Sequence, residues 1–240
     1  MRALASIAVA AAVVIGTRGA EPSFPGDFVR RPVVARAVAE RDCLSLGDDM
    51  FDSTVAAIGH CRPLGLRRAG QAGRREWVYG TYERRWLLPP GDTVTEHEAI
   101  AFSRPISGGG SIQLQPVWHY RYEPQMLASV TPEVAPTADG ATLLSINECV
   151  NGTGGCSQSF AIVGRGQPTI VKLAFIDSLN RRFPGAILHG FHVDVRTLRG
   201  SVALYSRNDA NCCPSTIGDF SLRLRGGSLE LVTLKLRHPN

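Results

Sequence analysis

Two adjacent cysteines followed by a proline, in the run Asp209-Ala210-Asn211-Cys212-Cys213-Pro214-Ser215, are the residues of this chain best suited to chemistry. Paired thiolates suit copper(I) or zinc. A disulfide between sequence neighbours is also readily reduced, because their Cα atoms stand about 3.8 Å apart across a trans peptide, whereas ordinary disulfides span about 4.4–6.8 Å. Cys212 and Cys213 are therefore candidates for a redox switch or a soft-metal site. The structural alternative is that each bonds a different cysteine and staples a loop to a sheet, or that the two form an inert bond shaping a turn before Pro214. No Cys-x-x-Cys occurs, so a thioredoxin-type motif is missing.

The other cysteines are Cys43, Cys61, Cys149 and Cys156. Cys149 and Cys156 flank Asn151-Gly152-Thr153-Gly154-Gly155 and would face each other across a hairpin. Closing that loop would stabilise by about 2.5 kcal/mol on the chain-entropy estimate, and a Cys43–Cys61 bond by about 3 kcal/mol.

Two further constellations carry possible chemistry. His189 and His192 precede Asp194, and His97 lies between Glu96 and Glu98. On a strand His192 and Asp194 share one face while His189 points to the other, so three metal ligands would not converge without a bend. Trp118, Tyr120 and Tyr122 fall on one side of an expected strand, with Trp77, Tyr79, Tyr82 and Trp86 on its expected neighbours. Such a row can stack on sugars as a glycan-binding surface, or it can fill the core of a sheet. No Gly-x-Ser-x-Gly, His-Glu-x-x-His or phosphate-loop pattern occurs. No catalytic residue, metal ligand or cofactor is assigned.

These residues are positioned by elements that read mostly as strands. Period-two patterns run through Trp77/Tyr79, Tyr82/Arg84/Trp86, Ile112/Leu114 and Trp118/Tyr120/Tyr122, with turn residues at 89–92 and 108–110. Further strands are expected over 143–149, 156–163 and about Val193, Val202, Phe220 and Leu229, with Gly226-Gly227 as a tight turn. Helical spacing of Phe51, Val55 and Ile58 after Asp48-Asp49 predicts one short helix. Residues 177–183 predict a second, stopped by Pro184-Gly185, while 170–176 reads as either strand or helix. The expected fold is α+β and β-dominated, with antiparallel sheets, one or two short helices and disulfide stabilisation.

The expected organisation is a signal peptide over 1–19, an N-terminal region over 20–130, a connector over 131–140 and a C-terminal domain over 141–240. Arg2, the apolar residues 3–16 and Thr17-Arg18-Gly19 form the leader pattern. The apolar stretch is short against the roughly 20 residues that span a bilayer, so no transmembrane segment is expected after cleavage. The connector is read from Pro132, Pro136 and the closing Gly140. Residues 21–32 are proline-rich and read as an ordered arm or a loose leader.

The whole chain carries 26 basic and 21 acidic side chains, a net charge of +5, and loss of Arg2 and Arg18 would leave +3. Only Lys172 and Lys235 are lysine, a bias explained by a GC-rich genome. Dispersed arginine pairs at this charge argue against a nucleic-acid partner.

Cys156-Ser157, Val202-Ala203-Leu204-Tyr205, the run from Asn208 to Ser215 and Phe220-x-Leu222-x-Leu224 with Gly226-Gly227 resemble the C-terminal half of LppP/LprE-type exported bacterial proteins. The resemblance covers residues 143–236, and the lipobox cysteine of that family is absent. It implies location and fold and adds no catalytic residue. The expected function is that of a periplasmic or secreted envelope protein, a non-enzymatic binding or structural module whose partner is a cell-wall polymer or an envelope protein. The alternative is a thiol redox or soft-metal-handling protein using Cys212 and Cys213.

Overall fold

The structure is a computed structural model that describes residues 24–28, 61–88, 92–106, 115–151, 155–164, 166–210 and 212–239. Over those residues the chain is β-dominated with one short helix, and its strands form three antiparallel sheets. The first sheet contains β1 (Asp27–Phe28), β2 (Cys61–Ala72), β3 (Arg75–Leu88), β4 (Asp92–Pro105) and β5 (Gln115–Tyr122) in the order β1-β5-β4-β3-β2. The second contains β6 (Leu127–Pro136), β7 (Thr142–Val150), β8 (Cys156–Val163) and β9 (Thr169–Ile170), in chain order. After α1 (Ala174–Arg182), the third contains β10 (Phe191–Asp194), β11 (Arg199–Leu204), β12 (Thr216–Arg225) and β13 (Ser228–Arg237), again in chain order.

The second sheet is the middle layer, and its strands show why. Alternate residues leave opposite faces of a strand, and here both faces are apolar. Val130, Val134, Leu144, Ile146, Ala161 and Val163 join a core shared with Trp77, Tyr79 and Trp118 of the first sheet. Ala135, Leu143 and Phe160 join a second core with Phe175 and Leu179 of α1 and with Val193, Val202, Phe220 and Leu229 of the third sheet. Phe175 and Leu179 are four residues apart, so one side of α1 covers the third sheet. Phe175 meets Phe191 edge-on at 4.9 Å between ring centroids.

Local signals were obeyed where turn chemistry set them. Gly226 and Gly227 have φ of 55° and 74°, the left-handed pair that a two-residue hairpin turn requires. The helix of 174–182 ends just before Pro184-Gly185, and it begins three residues earlier than the segment read as helical, resolving the ambiguous stretch into β9 followed by α1.

The connector reading is corrected. Residues 131–136 are the second half of β6, and only 137–140 turn back toward β7. Pro132 and Pro136 are tolerated because β6 is an edge strand, where a missing N–H breaks no ladder on the open side. Val130, Pro132 and Val134 are buried at period two. Strands β2 and β4 also escaped sequence reading, because their mixed small and charged residues hide the alternation. The helix expected near Phe51, the strand at Ile112/Leu114 and the turns at 89–91 and 108–110 lie outside the described residues. At the crossing of β2 over β6, a Cβ on Gly70 (φ +151°) would lie 2.6 Å from the Val134 carbonyl oxygen, so this approach requires glycine.

Candidate functional site

Cys149 and Cys156 are directly opposite in the β7–β8 ladder and form a disulfide, with Sγ–Sγ 2.02 Å and Cα–Cα 4.0 Å. Cys212 and Cys213 are bonded to each other, so separate partners for the two are not what the fold provides. Cys43, and with it the Cys43–Cys61 pairing, lies outside the described residues.

The vicinal pair sits at the tip of the connection from β11 to β12, a segment closed at its base by one carboxylate. Asp209 accepts hydrogen bonds from the backbone N–H of Ser206 at 2.8 Å, the Ser206 hydroxyl at 2.6 Å and the backbone N–H of Ser215 at 2.7 Å. These donors, the Ser206 hydroxyl foremost, hold the Asp209 carboxyl well below the usual carboxylate range. The Cys213 N–H donates to the Ala210 carbonyl at 2.9 Å, forming the turn itself. Ring nitrogen Nδ1 of His238 stands 3.3 Å from the Ser215 carbonyl oxygen, bringing the end of β13 to the same base.

The aromatic row is core, which corrects the glycan-stacking reading of Trp118, Tyr120 and Tyr122. Trp118 is fully buried and donates from Nε1 to the Pro25 carbonyl at 2.7 Å. Tyr122 is buried and Tyr120 half-buried, and all three face the middle sheet. Tyr120 shares a hydrogen bond with Glu148 across that gap, and burial pushes both groups up from their ordinary values. A period-two row reports which residues share a face; whether another sheet covers that face is decided elsewhere in the chain. Residues 24–28 show that part of the N-terminal arm is ordered: β1 pairs with β5, and Phe24 stacks on Phe28 at 5.2 Å.

The histidines are divided among different neighbours. His189 packs edge-on against Tyr205 at 5.2 Å, while His192 and Asp194 share a face of β10 and are exposed. Among the described residues no group of three His, Cys, Asp or Glu side chains could hold a metal ion. His97 lies edge-on to Tyr122 at 5.5 Å.

The sequence pointed to Glu98 beside His97 but not to its burial on the opposite face of the first sheet. Glu98 of β4 is fully buried, directly opposite Tyr82 of β3 and Arg121 of β5, and its Oε1 lies 3.2 Å from Nδ1 of His119. Burial, reinforced by the Glu98 charge, pushes the Tyr82 phenol up to about 12 from the usual 10.0. A raised folded pKa means the stabilisation it reflects is complete below pH 10 and is lost as pH rises toward 12. We expect a tyrosinate absorbance titration of the folded protein to show one tyrosine ionising about two pH steps late. In Glu98→Gln that late step should move down yet stay above 10, since burial is the larger cause.

Sequence reading also missed a cleft of about 450 Å³ where the three sheets meet. It is lined by Arg68 of β2, Tyr79 of β3, Thr131 and Glu133 of β6, and His192, Asp194 and Arg196 at the end of β10. Asp194 accepts the Arg196 N–H at 2.8 Å, which lowers its carboxyl. Arg68 lies 3.3 Å from Glu76. Among the described residues neither Glu133 nor His192 has an ion-pair partner. His192 and Asp194 could be found from their spacing, but nothing local to either ties them to Arg68 or Glu133.

Over the described residues these features define a β-dominated α+β protein of three antiparallel sheets, stabilised by a hairpin disulfide, with a charged cleft and an exposed vicinal disulfide. No family model, no curated protein and no solved structure matches the chain. No helix among the described residues is long and apolar enough to cross a membrane.

Proposed function

We propose that the chain is an exported bacterial envelope protein that acts as a non-enzymatic binding module, with its contact surface in the cleft bounded by Arg68, Glu133, His192, Asp194 and Arg196. The observation that carries this reading is the convergence of charged side chains of both signs, from three sheets, on one open cleft. The leader pattern, the hairpin disulfide and the resemblance over residues 143–236 support an extracytoplasmic setting.

Mixed charge in a cleft of this size suits a ligand that carries both carboxylate and amine groups, as cell-wall peptides do. Co-sedimentation of the purified protein with peptidoglycan sacculi tests the reading, compared with Glu133→Arg and Arg196→Glu. The expected result is binding that each substitution weakens by about tenfold, the equivalent of one lost charge contact, without a change in melting temperature. If sacculi are not bound and cross-linking captures an envelope protein through the same residues, the partner is that protein. Binding indifferent to both substitutions, or no binding in either assay, overturns the proposal.

A further inference from the structure

We propose that Cys212 and Cys213 form a thiol–disulfide exchange site, carried on the exposed tip of a turn whose base is fixed independently of the sulfurs and reduced by a dithiol. Three features of the segment support it, and none depends on what the cleft binds.

The first is access. Both cysteines are exposed, so the pair is open to an incoming thiolate. In the hairpin pair Cys156 is exposed as well, but Cys149 is half-buried, and the Cys156 backbone is bridged to Gly190, where a Cβ would lie 2.1 Å from the Cys156 carbonyl oxygen.

The second is the origin of the restraint. The β7–β8 ladder holds Cys149 and Cys156 face to face whether or not they are bonded, so their thiols re-form the bond at high effective concentration. Cys212 and Cys213 have no ladder across them. Their bond closes a small ring that contains their own peptide unit. Exposed bonds held only in this way are the labile ones.

The third is insulation. The clamp of Asp209 on Ser206 and Ser215 closes the segment below the tip, and it uses backbone and hydroxyl donors rather than sulfur. The Tyr205 N–H also donates to the Ala186 carbonyl, anchoring the entry to the segment. Opening the ring therefore leaves the connection between β11 and β12 in place.

The chemistry balances with a dithiol as the electron donor. Its thiolate attacks one sulfur of the pair, a mixed disulfide forms, and the other cysteine leaves as a thiolate that takes up a proton. The donor's second thiol, losing its proton, then attacks the mixed disulfide and releases the first cysteine. Two electrons and two protons pass to Cys212 and Cys213, and the donor ends as a disulfide.

The test uses the full-length exported protein, equilibrated across a dithiothreitol series, quenched by alkylation and mapped by peptide mass. Cys212 and Cys213 should be alkylated together at dithiothreitol concentrations at least about tenfold below those that open Cys149–Cys156. The melting temperature should not change across that first step. Cys212→Ser/Cys213→Ser, which keeps Asp209 and its donors, should remove the first step and leave the second unmoved. Opening only together with or after Cys149–Cys156, cooperative loss of the fold at the first step, or a peptide map joining Cys212 or Cys213 to another cysteine would each overturn the proposal.

Discussion

Replacement of Gln158 by leucine is expected to destabilise the fold by about 3–5 kcal/mol, because three hydrogen bonds lose one partner at once in a buried place. Gln158 is on β8 and almost fully buried. Its Nε2 donates to the Ser145 hydroxyl at 2.8 Å and to the Val193 carbonyl at 2.9 Å, and its Oε1 accepts the Val193 N–H at 2.8 Å. The side-chain amide thus stands in for a strand, pairing with the backbone of β10 and joining the middle sheet to the third. Leucine fills a similar volume, so the loss would come from stranded polar groups rather than from a cavity. The midpoint of chemical denaturation should fall while its slope stays the same. A loss below about 1 kcal/mol would mean that apolar contact alone holds these sheets together.

The second large effect is expected at Glu98. Glu98→Ala should destabilise by about 3–5 kcal/mol, since it leaves His119 and Arg121 beside an uncompensated gap in a buried site. The group is distributed over three strands, with Tyr82, Glu98 and Arg121 in one cross-strand line and His119 beside it. Exchanging both Glu98 and His119 for apolar residues of similar size should recover much of the loss, because desolvation of a buried pair offsets most of its attraction. If the single and double replacements were equally damaging, the pair would not be acting as a unit, and a double-mutant cycle would read that directly.

Both sites show where reading along the chain stops. Gln158 and Val193 are 35 residues apart, and an isolated glutamine in a strand pattern looks like an exposed position. Glu98 sits in Glu96-His97-Glu98, which the sequence offers as a constellation around His97, but its burial beside Tyr82, His119 and Arg121 arises only when β3 and β5 pair on both sides of it. The cleft follows the same logic, with Arg68, Glu133 and His192 belonging to three different sheets.

What the sequence determined by itself was local. Period-two apolar spacing dictated a β-dominated chain, Gly226-Gly227 dictated a tight turn, Pro184 bounded the helix, and the glycine-rich residues between Cys149 and Cys156 placed those cysteines face to face. Each follows from the conformational limits of a few neighbouring residues. Tertiary structure decided the rest. It made residues 131–136 an edge strand, covered Trp118 and Tyr122, exposed Cys212 and Cys213 above the Asp209 clamp, and gathered the cleft. Burial and long-range pairing depend on which face another sheet covers, and no short window of sequence contains that second sheet.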